Sequence, residues 1–341
     1  MPRISVCVAG ATGLVGQTLL ARLNRHPWFE VGELLADNHH DCLTYREAVR
    51  NRFVVPEAAR FAEKKLRPLD APVDCPFIFS CLPSGIAGTW ETFWTRRGHQ
   101  VITNAADHRL DPTVPLIIAE INAHHLTNEP VSNGSGRMIA NPNCSVTGFA
   151  LIAGALARYH LLKAAAVTTL QSISGAGLKG LSAFETLDNL IPFIPNEEEK
   201  WHHEPAKILG DRTPDGFQPY PLAVDATCIR VPIRRGHLLA VTLIGDPDLT
   251  PERARDILRQ FKAPPEIREL PSCPSHPIRL LDSPDRPQPV LDLDPNGMTV
   301  TVGRLRGQPG RIQWLALVDN LQRGAAGNAI LNAELALCAQ R

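Results

Sequence analysis

The chain has no charge excess of either sign: 35 Lys plus Arg are matched by 35 Asp plus Glu over 341 residues. A protein built mainly to hold nucleic acid or an anionic membrane surface carries a basic surplus, so no such partner is expected. Long hydrophobic runs are also missing, and the longest, residues 149–157, is too short to span a bilayer. No secretory leader is legible, because Met1-Pro2-Arg3-Ile4 passes straight into a strand-like run, and a cytoplasmic location is expected. The eight cysteines, Cys7, Cys42, Cys75, Cys81, Cys144, Cys228, Cys273 and Cys338, contain no CxxC and no zinc-finger spacing. They read as reduced thiols, most of them small buried apolar residues. Among the twelve histidines, the pairs 39–40, 124–125 and 202–203 are adjacent, and adjacent side chains point apart, so no metal site is expected. There is no internal repeat and no low-complexity stretch.

What is present is ordinary globular composition, 44% hydrophobic and 21% charged. At roughly 150 residues per domain the length implies two domains. Residues 4–9 read as a buried strand, 10–16 as a turn, 17–25 as a helix and 31–35 as a second strand. That is a βαβ unit, which implies a parallel sheet covered by helices. Further strands are expected at 77–81, 100–103 and 116–118. After the turn Asn141-Pro142-Asn143-Cys144, residues 145–160 read as a helix and 164–174 as a strand broken by Gly175-Ala176-Gly177. Residues 227–233 and 238–244 look like antiparallel strands around a Gly236-His237 turn. A helix at 251–261, strands at 290–303 and 313–318 and a last amphipathic helix at 327–339 complete the reading. The expected fold class is α/β: a Rossmann-like doubly wound domain over 1–143, completed by a C-terminal helix within 324–341, and an α+β catalytic and dimerisation domain over 144–323.

Gly10-Ala11-Thr12-Gly13-Leu14-Val15-Gly16 lies between the first strand and first helix. Glycines there let the backbone approach a pyrophosphate, and the helix N-terminus offers free N–H groups to it, so the turn reads as a dinucleotide site. Cys144 stands at a helix start, where the helix dipole favours a thiolate; it reads as a nucleophile or as a buried structural thiol. His237 follows Gly236, with Arg230 seven residues before it. It is either a general base kept neutral by a cation or a solvated hairpin-tip residue. Glu197-Glu198-Glu199-Lys200 suits a solvated helix start. Arg109, in a loop, is a surface residue or an anion clamp.

The motifs taken together resemble the aspartate-β-semialdehyde dehydrogenase family, in its archaeal and fungal branch. Those carrying the resemblance are the Gly10–Gly16 turn, Leu82-Pro83-Ser84, Asn104-Ala105-Ala106, Asn141-Pro142-Asn143-Cys144 and Gln171-Ser172-Ile173-Ser174-Gly175-Ala176-Gly177. To these add Asn196-Glu197-Glu198-Glu199-Lys200, Arg230-Val231-Pro232, Gly236-His237, Asp285-Arg286-Pro287-Gln288-Pro289 and Arg323-Gly324-Ala325-Ala326-Gly327. The resemblance implies reduction of L-aspartyl 4-phosphate to the semialdehyde through a thioacyl group on Cys144. His237 would be the acid–base residue and Gln171 would orient the acyl group. Arg230 would hold the substrate carboxylate, Glu197 its amino group, and Lys200, Asn143 and Arg109 its phosphate. It further implies cofactor contacts from Gly10, Thr12, Gly13, Leu14 and Val15, from Asp37 and His39, from Leu82, Pro83 and Ser84, and from Ser174, Gly175, Gly177 and Asn320. The assembly implied is a homodimer or homotetramer.

The sequence departs from the family pattern in places. Relatives that use NADP(H) place Ser and Arg near Asp37 and His39, whereas an Asp there ordinarily meets the ribose hydroxyls and repels a 2′-phosphate, which makes NAD(H) or dual use plausible. Ala119 replaces a usual Pro, and Leu238-Leu239 replaces a Thr-Glu or Ser-Glu pair. The competing readings are a paralogue acting on another activated acyl group such as malonyl-CoA, the more distant N-acetylglutamyl-phosphate reductase, and a dinucleotide-binding regulator without turnover.

Overall fold

A computed structural model describes residues 2–37, 40–127 and 136–339. The first sheet is six-stranded and wholly parallel: β1 (Ile4–Ala9), β2 (Phe29–Ala36), β3 (Leu66–Pro68), β4 (Phe77–Ser80), β5 (Gln100–Thr103) and β6 (Arg137–Ala140) lie in the order β3-β2-β1-β4-β5-β6. Strands buried on both faces need continuous apolar runs, which Val6–Ala9 and Phe77–Phe79 supply. The strand order reverses between β1 and β4, and ligands of open parallel sheets bind outside the strand ends at that point.

The second sheet takes β7 (Leu162–Gln171), β10 (Ala223–Arg230), β11 (His237–Gly245), β12 (Ile278–Leu281), β13 (Val300–Gln308) and β14 (Arg311–Val318) in the order β10-β7-β11-β14-β13-β12. Between β7 and β10 the short strands β8 (Asp211–Thr213) and β9 (Gly216–Gln218) pair antiparallel. The helix Cys144–Ala157 packs on β7 and β14 of this sheet and on the helix Glu198–Leu209, with Phe149 against Trp201 at a ring separation of 5.5 Å. No helix of the described residues is long and apolar enough to cross a membrane.

Four expectations need correction. First, β10 and β11 are not a hairpin: β7 lies between them, parallel to β10 and antiparallel to β11. Instead of turning after Arg230, the chain stays bonded to the end of β7, with Val231 N donating to Gln171 O and Ile173 N to Ile233 O. Second, no strand starts at 290. Pro289 opens a helical turn, Pro289–Asp292, closed by Gln288 N donating to the Asp292 carboxylate at 2.6 Å. Third, residues 116–118 make a single bridge, Leu116 to Ala140, because the Asn122 side chain takes the Ile118 N–H and the Leu116 carbonyl. Fourth, the last helix, Gly327–Ala339, is not amphipathic. It is buried from Gly327 to Leu337, among Val6, Leu19, Phe29 and Ile117 of the N-terminal half, and its polar residues are bonded inside. Asn328 and Asn332 both donate to Ile117 O and to Asn141 Oδ1, and Glu334 accepts from His26 and from Ser272 N.

Candidate active site

Asn143 caps the helix Cys144–Ala157: its Oδ1 accepts from Ser145 N at 3.0 Å and Val146 N at 3.2 Å. Cys144 is therefore the first helical residue, at the positive end of the dipole. Other influences on the thiol oppose the dipole. Burial, and next the nearby Glu197 carboxylate, push the Cys144 thiol up to about 12, against Lys200, Arg109 and Arg230 pulling it down. The backing of the sulfur is equally tight. Gly324 sits in a π-helical turn, Gln322–Ala326, and a Cβ on it would lie 2.5 Å from the Cys144 Cβ. A π-turn is rare and is found mostly at functional sites.

Three residues reach this helix start from one end of the second sheet. Gln171 ends β7, Arg230 ends β10 directly opposite it, and His237 begins β11. His237 Nε2 is 3.2 Å from Cys144 Sγ. The imidazole is wholly buried, so it is no hairpin-tip residue. Burial, then the Arg230 cation, push it down to about 3, so it is neutral at physiological pH. Arg230 Nη1 donates to Ser172 O at 2.7 Å, and a Cβ on Gly175 would lie 2.7 Å from that nitrogen and 3.3 Å from His237 Cε1. Glycine at 175 is what lets the turn Ile173–Ala176 close over both groups.

Glu197, six per cent exposed, is not the solvated helix start its composition suggests. Its carboxylate accepts from Asn143 Nδ2 at 2.8 Å, Gln171 Nε2 at 2.9 Å and Lys200 Nζ at 2.6 Å. Burial pushes its carboxyl up, but Lys200 and these bonds outweigh burial and hold it below the ordinary value, hence ionised. Arg109 is buried as well. It donates through Nη1 to Glu204 at 3.0 Å and through Nη2 to Asn104 O at 2.8 Å, and its Nε is buried without a partner among the described residues.

Two residues of this cluster escaped the sequence reading. Glu204 accepts from Arg109 and, at 2.6 Å, from the Asn143 main-chain N–H, tying the Arg109 guanidinium to the turn that precedes Cys144. Lys207 Nζ donates to the carbonyls of Arg109, Asp111 and Val114 and fixes the loop that carries Arg109. Their signal was the helical spacing 200, 204, 207 running on beyond the Glu197–Lys200 motif.

At the other end of the chain, Gly10 has φ +74°, and a Cβ there would lie 2.6 Å from Cys81 O; on Gly16 it would lie 2.4 Å from Gly10 O. Gly13 is the N-cap of the helix Leu14–Leu23, whose first turn holds Leu14 and Val15, and Thr12 O accepts from Gln17. The cradle is thus close-packed backbone at a helix start, beside the Leu82-Pro83-Ser84 loop where the strand order reverses, and a dinucleotide pyrophosphate fits it. Ser84 Oγ accepts from Ala106 N at 2.9 Å. Asp37, just past β2, is exposed and paired with His40 at 2.6 Å; His39 lies outside the described residues. Ser174, Gly175 and Gly177 are joined to Asn320 through Ser174 Oγ, which accepts from Asn320 Nδ2 at 2.9 Å.

Comparisons with known proteins point to one family. Residues 5–129 match the family described as semialdehyde dehydrogenase, NAD binding domain, and residues 153–323 the one described as semialdehyde dehydrogenase, dimerisation domain. The chain is 37% identical to an aspartate-semialdehyde dehydrogenase of Trichophyton rubrum, over 97% of this chain and 96% of that one. It is 38% identical to one from Archaeoglobus fulgidus, over 98% of each. The crystal structure of aspartate semialdehyde dehydrogenase with NADP from Candida albicans superposes with a TM-score of 0.91, at 30% identity, over 99% of both chains. The chain therefore belongs to the aspartate-semialdehyde dehydrogenase family.

Proposed function

We propose that the protein is a phosphorylating aspartate-semialdehyde dehydrogenase that reduces L-aspartyl 4-phosphate with a nicotinamide cofactor. The observation that carries this reading is the Cys144 sulfur, 3.2 Å from a neutral, buried imidazole and ringed by Arg230, Lys200 and Arg109. A substrate with a carboxylate, an ammonium group and an acyl phosphate needs a guanidinium, a carboxylate and a phosphate clamp. Arg230 supplies the first, Glu197 the second, and Lys200, Asn143 and the unpartnered Nε of Arg109 the third. The Glu197–Lys200 pair separates to meet the ammonium and the phosphate. The Cys144 sulfur attacks the acyl carbon as its proton passes to His237 Nε2, and the C–O bond breaks as phosphate leaves with its electron pair, giving a thioacyl group on Cys144. The Gly10–Val15 cradle would hold the reduced cofactor, whose chemistry would be hydride donation to the thioester. The sulfur then departs with the C–S electron pair toward His237 Nε2, its acid–base partner. The Cys144 main-chain N–H, at a helix start, is placed to donate to the oxyanion.

The test runs the reaction in reverse. Aspartate semialdehyde and phosphate, with NADP or NAD, are expected to give phosphate-dependent reduced cofactor, followed by ultraviolet absorbance. Absence of turnover with either cofactor, or turnover only with malonyl-CoA in the reductive direction, overturns the reading. Asp37 is exposed beside the ribose end of the cradle, so its charge opposes a 2′-phosphate; Asp37→Ser is expected to raise the NADP-to-NAD ratio of kcat/KM about tenfold, roughly 1.4 kcal/mol. An unchanged ratio means that other side chains set the choice.

A second copy of the chain is the partner that this reading requires. Residues 178–193 leave Phe184 fully exposed and Leu187, Leu190 and Phe193 at 67%, 58% and 63%, a cluster of exposed apolar side chains of the kind that marks an interaction surface. They follow directly on the active-site turn and lie within the span matched by the dimerisation domain. The double variant Phe184→Asp/Phe193→Asp is expected to run as a monomer in light scattering with an unchanged circular dichroism spectrum. A wild-type mass would place the interface elsewhere.

A further inference from the structure

Cys144 and His237 stand on segments far apart in the chain, and one carboxylate holds both segments. Asp319 directly follows β14, and its side chain is not exposed at all. Its Oδ1 accepts from Leu321 N and Gln322 N, each at 3.0 Å, and its main-chain carbonyl accepts from Gly324 N at 2.9 Å. These bonds open the π-turn and set where Gly324 stands. Gly324 in turn abuts the nucleophile's residue: a Cβ on it would lie 2.5 Å from Cys144 Cβ and 2.9 Å from Cys144 Cα. A shift of Asp319 is therefore passed to Cys144 through close-packed backbone.

The other oxygen, Oδ2, lies 2.7 Å from Arg235 Nη2. Arg235 is two residues before His237. His237 pairs with Val318 at the last rung of the β11–β14 ladder, and just before it the chain leaves the sheet, with Gly236 at φ +91°. The end of an element frays unless something beyond it holds. Two contacts extend the hold here. Gly236 N donates to Asn320 Oδ1 at 3.0 Å, and Arg235 meets Asp319. The second is the charged contact, and ionised partners bind more strongly than neutral ones. It also matters more to its partner, because a carboxylate shut away from water is costly without a cation.

We propose that Asp319 and Arg235 are a positioning pair: one carboxylate grips the π-turn behind Cys144 with Oδ1 and the chain leading into His237 with Oδ2, and so sets the separation of sulfur and imidazole. The inference rests on the reading of Cys144 and His237 as the reacting pair. Neither Asp319 nor Arg235 touches the reacting atoms, so the pair governs the rate of the chemical steps and leaves the binding of the semialdehyde alone.

The experiment measures kcat and KM for the semialdehyde in Arg235→Met, Asp319→Asn, their double variant and Arg235→Lys. The Arg235 side chain is 41% exposed, so its replacement opens no cavity in the core. Asp319→Asn keeps an oxygen for the π-turn and loses the charge. Each single loss of the pair is expected to lower kcat about thirtyfold with KM within about twofold of wild type, since a misplacement of about 1 Å costs on the order of a hundredfold. The double variant is expected to lose about the same factor as either single one, because both side chains act through one contact. Arg235→Lys keeps the cation for a contact made by one nitrogen and is expected to recover kcat to within about threefold. Losses that multiply in the double variant, a loss confined to KM, a lysine variant as slow as the methionine variant, or wild-type kcat in Arg235→Met overturn the proposal.

A second readout needs no turnover. In cofactor-free protein, iodoacetamide alkylates Cys144 at a rate that depends on His237 taking the thiol proton, while the exposed Cys42 serves as an internal reference. Mass spectrometry of the labelled peptides is expected to show Cys144 of Arg235→Met reacting about tenfold more slowly than in wild type, with Cys42 unchanged. An equal or faster Cys144 rate overturns the proposal. A wild-type protein silent in the semialdehyde assay defeats the proposed function instead, and the labelling comparison still decides the spacing.

Discussion

A Cys144→Ala variant is expected to lose phosphate-dependent turnover by a factor on the order of 10⁴ or more while keeping its fold. The loss is large because the proposed mechanism divides the reaction into two steps at that sulfur, and the adjacent Ser145 Oγ is committed to the Asn143 cap at 2.7 Å. The fold survives because the helix start depends on Asn143, whose side chain makes the capping bonds, and not on the thiol. Dinucleotide binding, measured by fluorescence quenching of the reduced cofactor, is expected to be unaffected. Residual turnover of about a tenth would show that a different group carries the acyl chain.

The second large effect is on stability. Arg323 and Glu120 form a doubly hydrogen-bonded ion pair, 2.6 and 3.1 Å, with neither side chain exposed at all. Arg323→Met leaves the Glu120 carboxylate buried and uncompensated, which costs about 3–5 kcal/mol. It also frees Met298 O, which accepts from Arg323 Nε at 2.8 Å. Since Arg323 lies in the π-turn that sets Gly324 against Cys144, activity is expected to fall along with the urea midpoint. The double variant Glu120→Gln/Arg323→Met removes the stranded charge and is expected to recover part of the loss. A shift below about 1 kcal/mol in the single variant would mean that water reaches the carboxylate.

These two residues show what the sequence disclosed and what it withheld. Cys144, His237, Arg230, Gln171 and Glu197 are polar residues placed at the ends of apolar elements, beside glycines and prolines that punctuate the chain, and such contrast is visible in one dimension. The first βαβ unit was legible for the same reason: its apolar run, glycine turn and helix follow one another directly. Glu204, Lys207 and Glu120 look like ordinary surface residues in sequence, and their burial is decided by partners up to 203 positions away, as for Arg323 and Glu120. Strand neighbours were hidden likewise: 227–233 and 238–244 are close in sequence, but the strand that separates them, β7, was read some sixty residues earlier. The last helix misled because asparagines and a glutamate inside it imitate a solvent face while bonding to Ile117, Asn141, His26 and Ser272.

The shared end of the second sheet has a consequence for how preparations of this protein are judged. Gln171 faces Arg230 across β7 and β10 only in one alignment, and a slip of one residue would turn Gln171 to the opposite face and set Leu170 in its place. Such a chain would keep its helices and its buried tryptophans, Trp201 and Trp314, and so its dichroism and fluorescence. Specific activity in a refolded batch therefore counts aligned sheets, whereas optical spectra count compact chains, and the gap between the two measures folding fidelity.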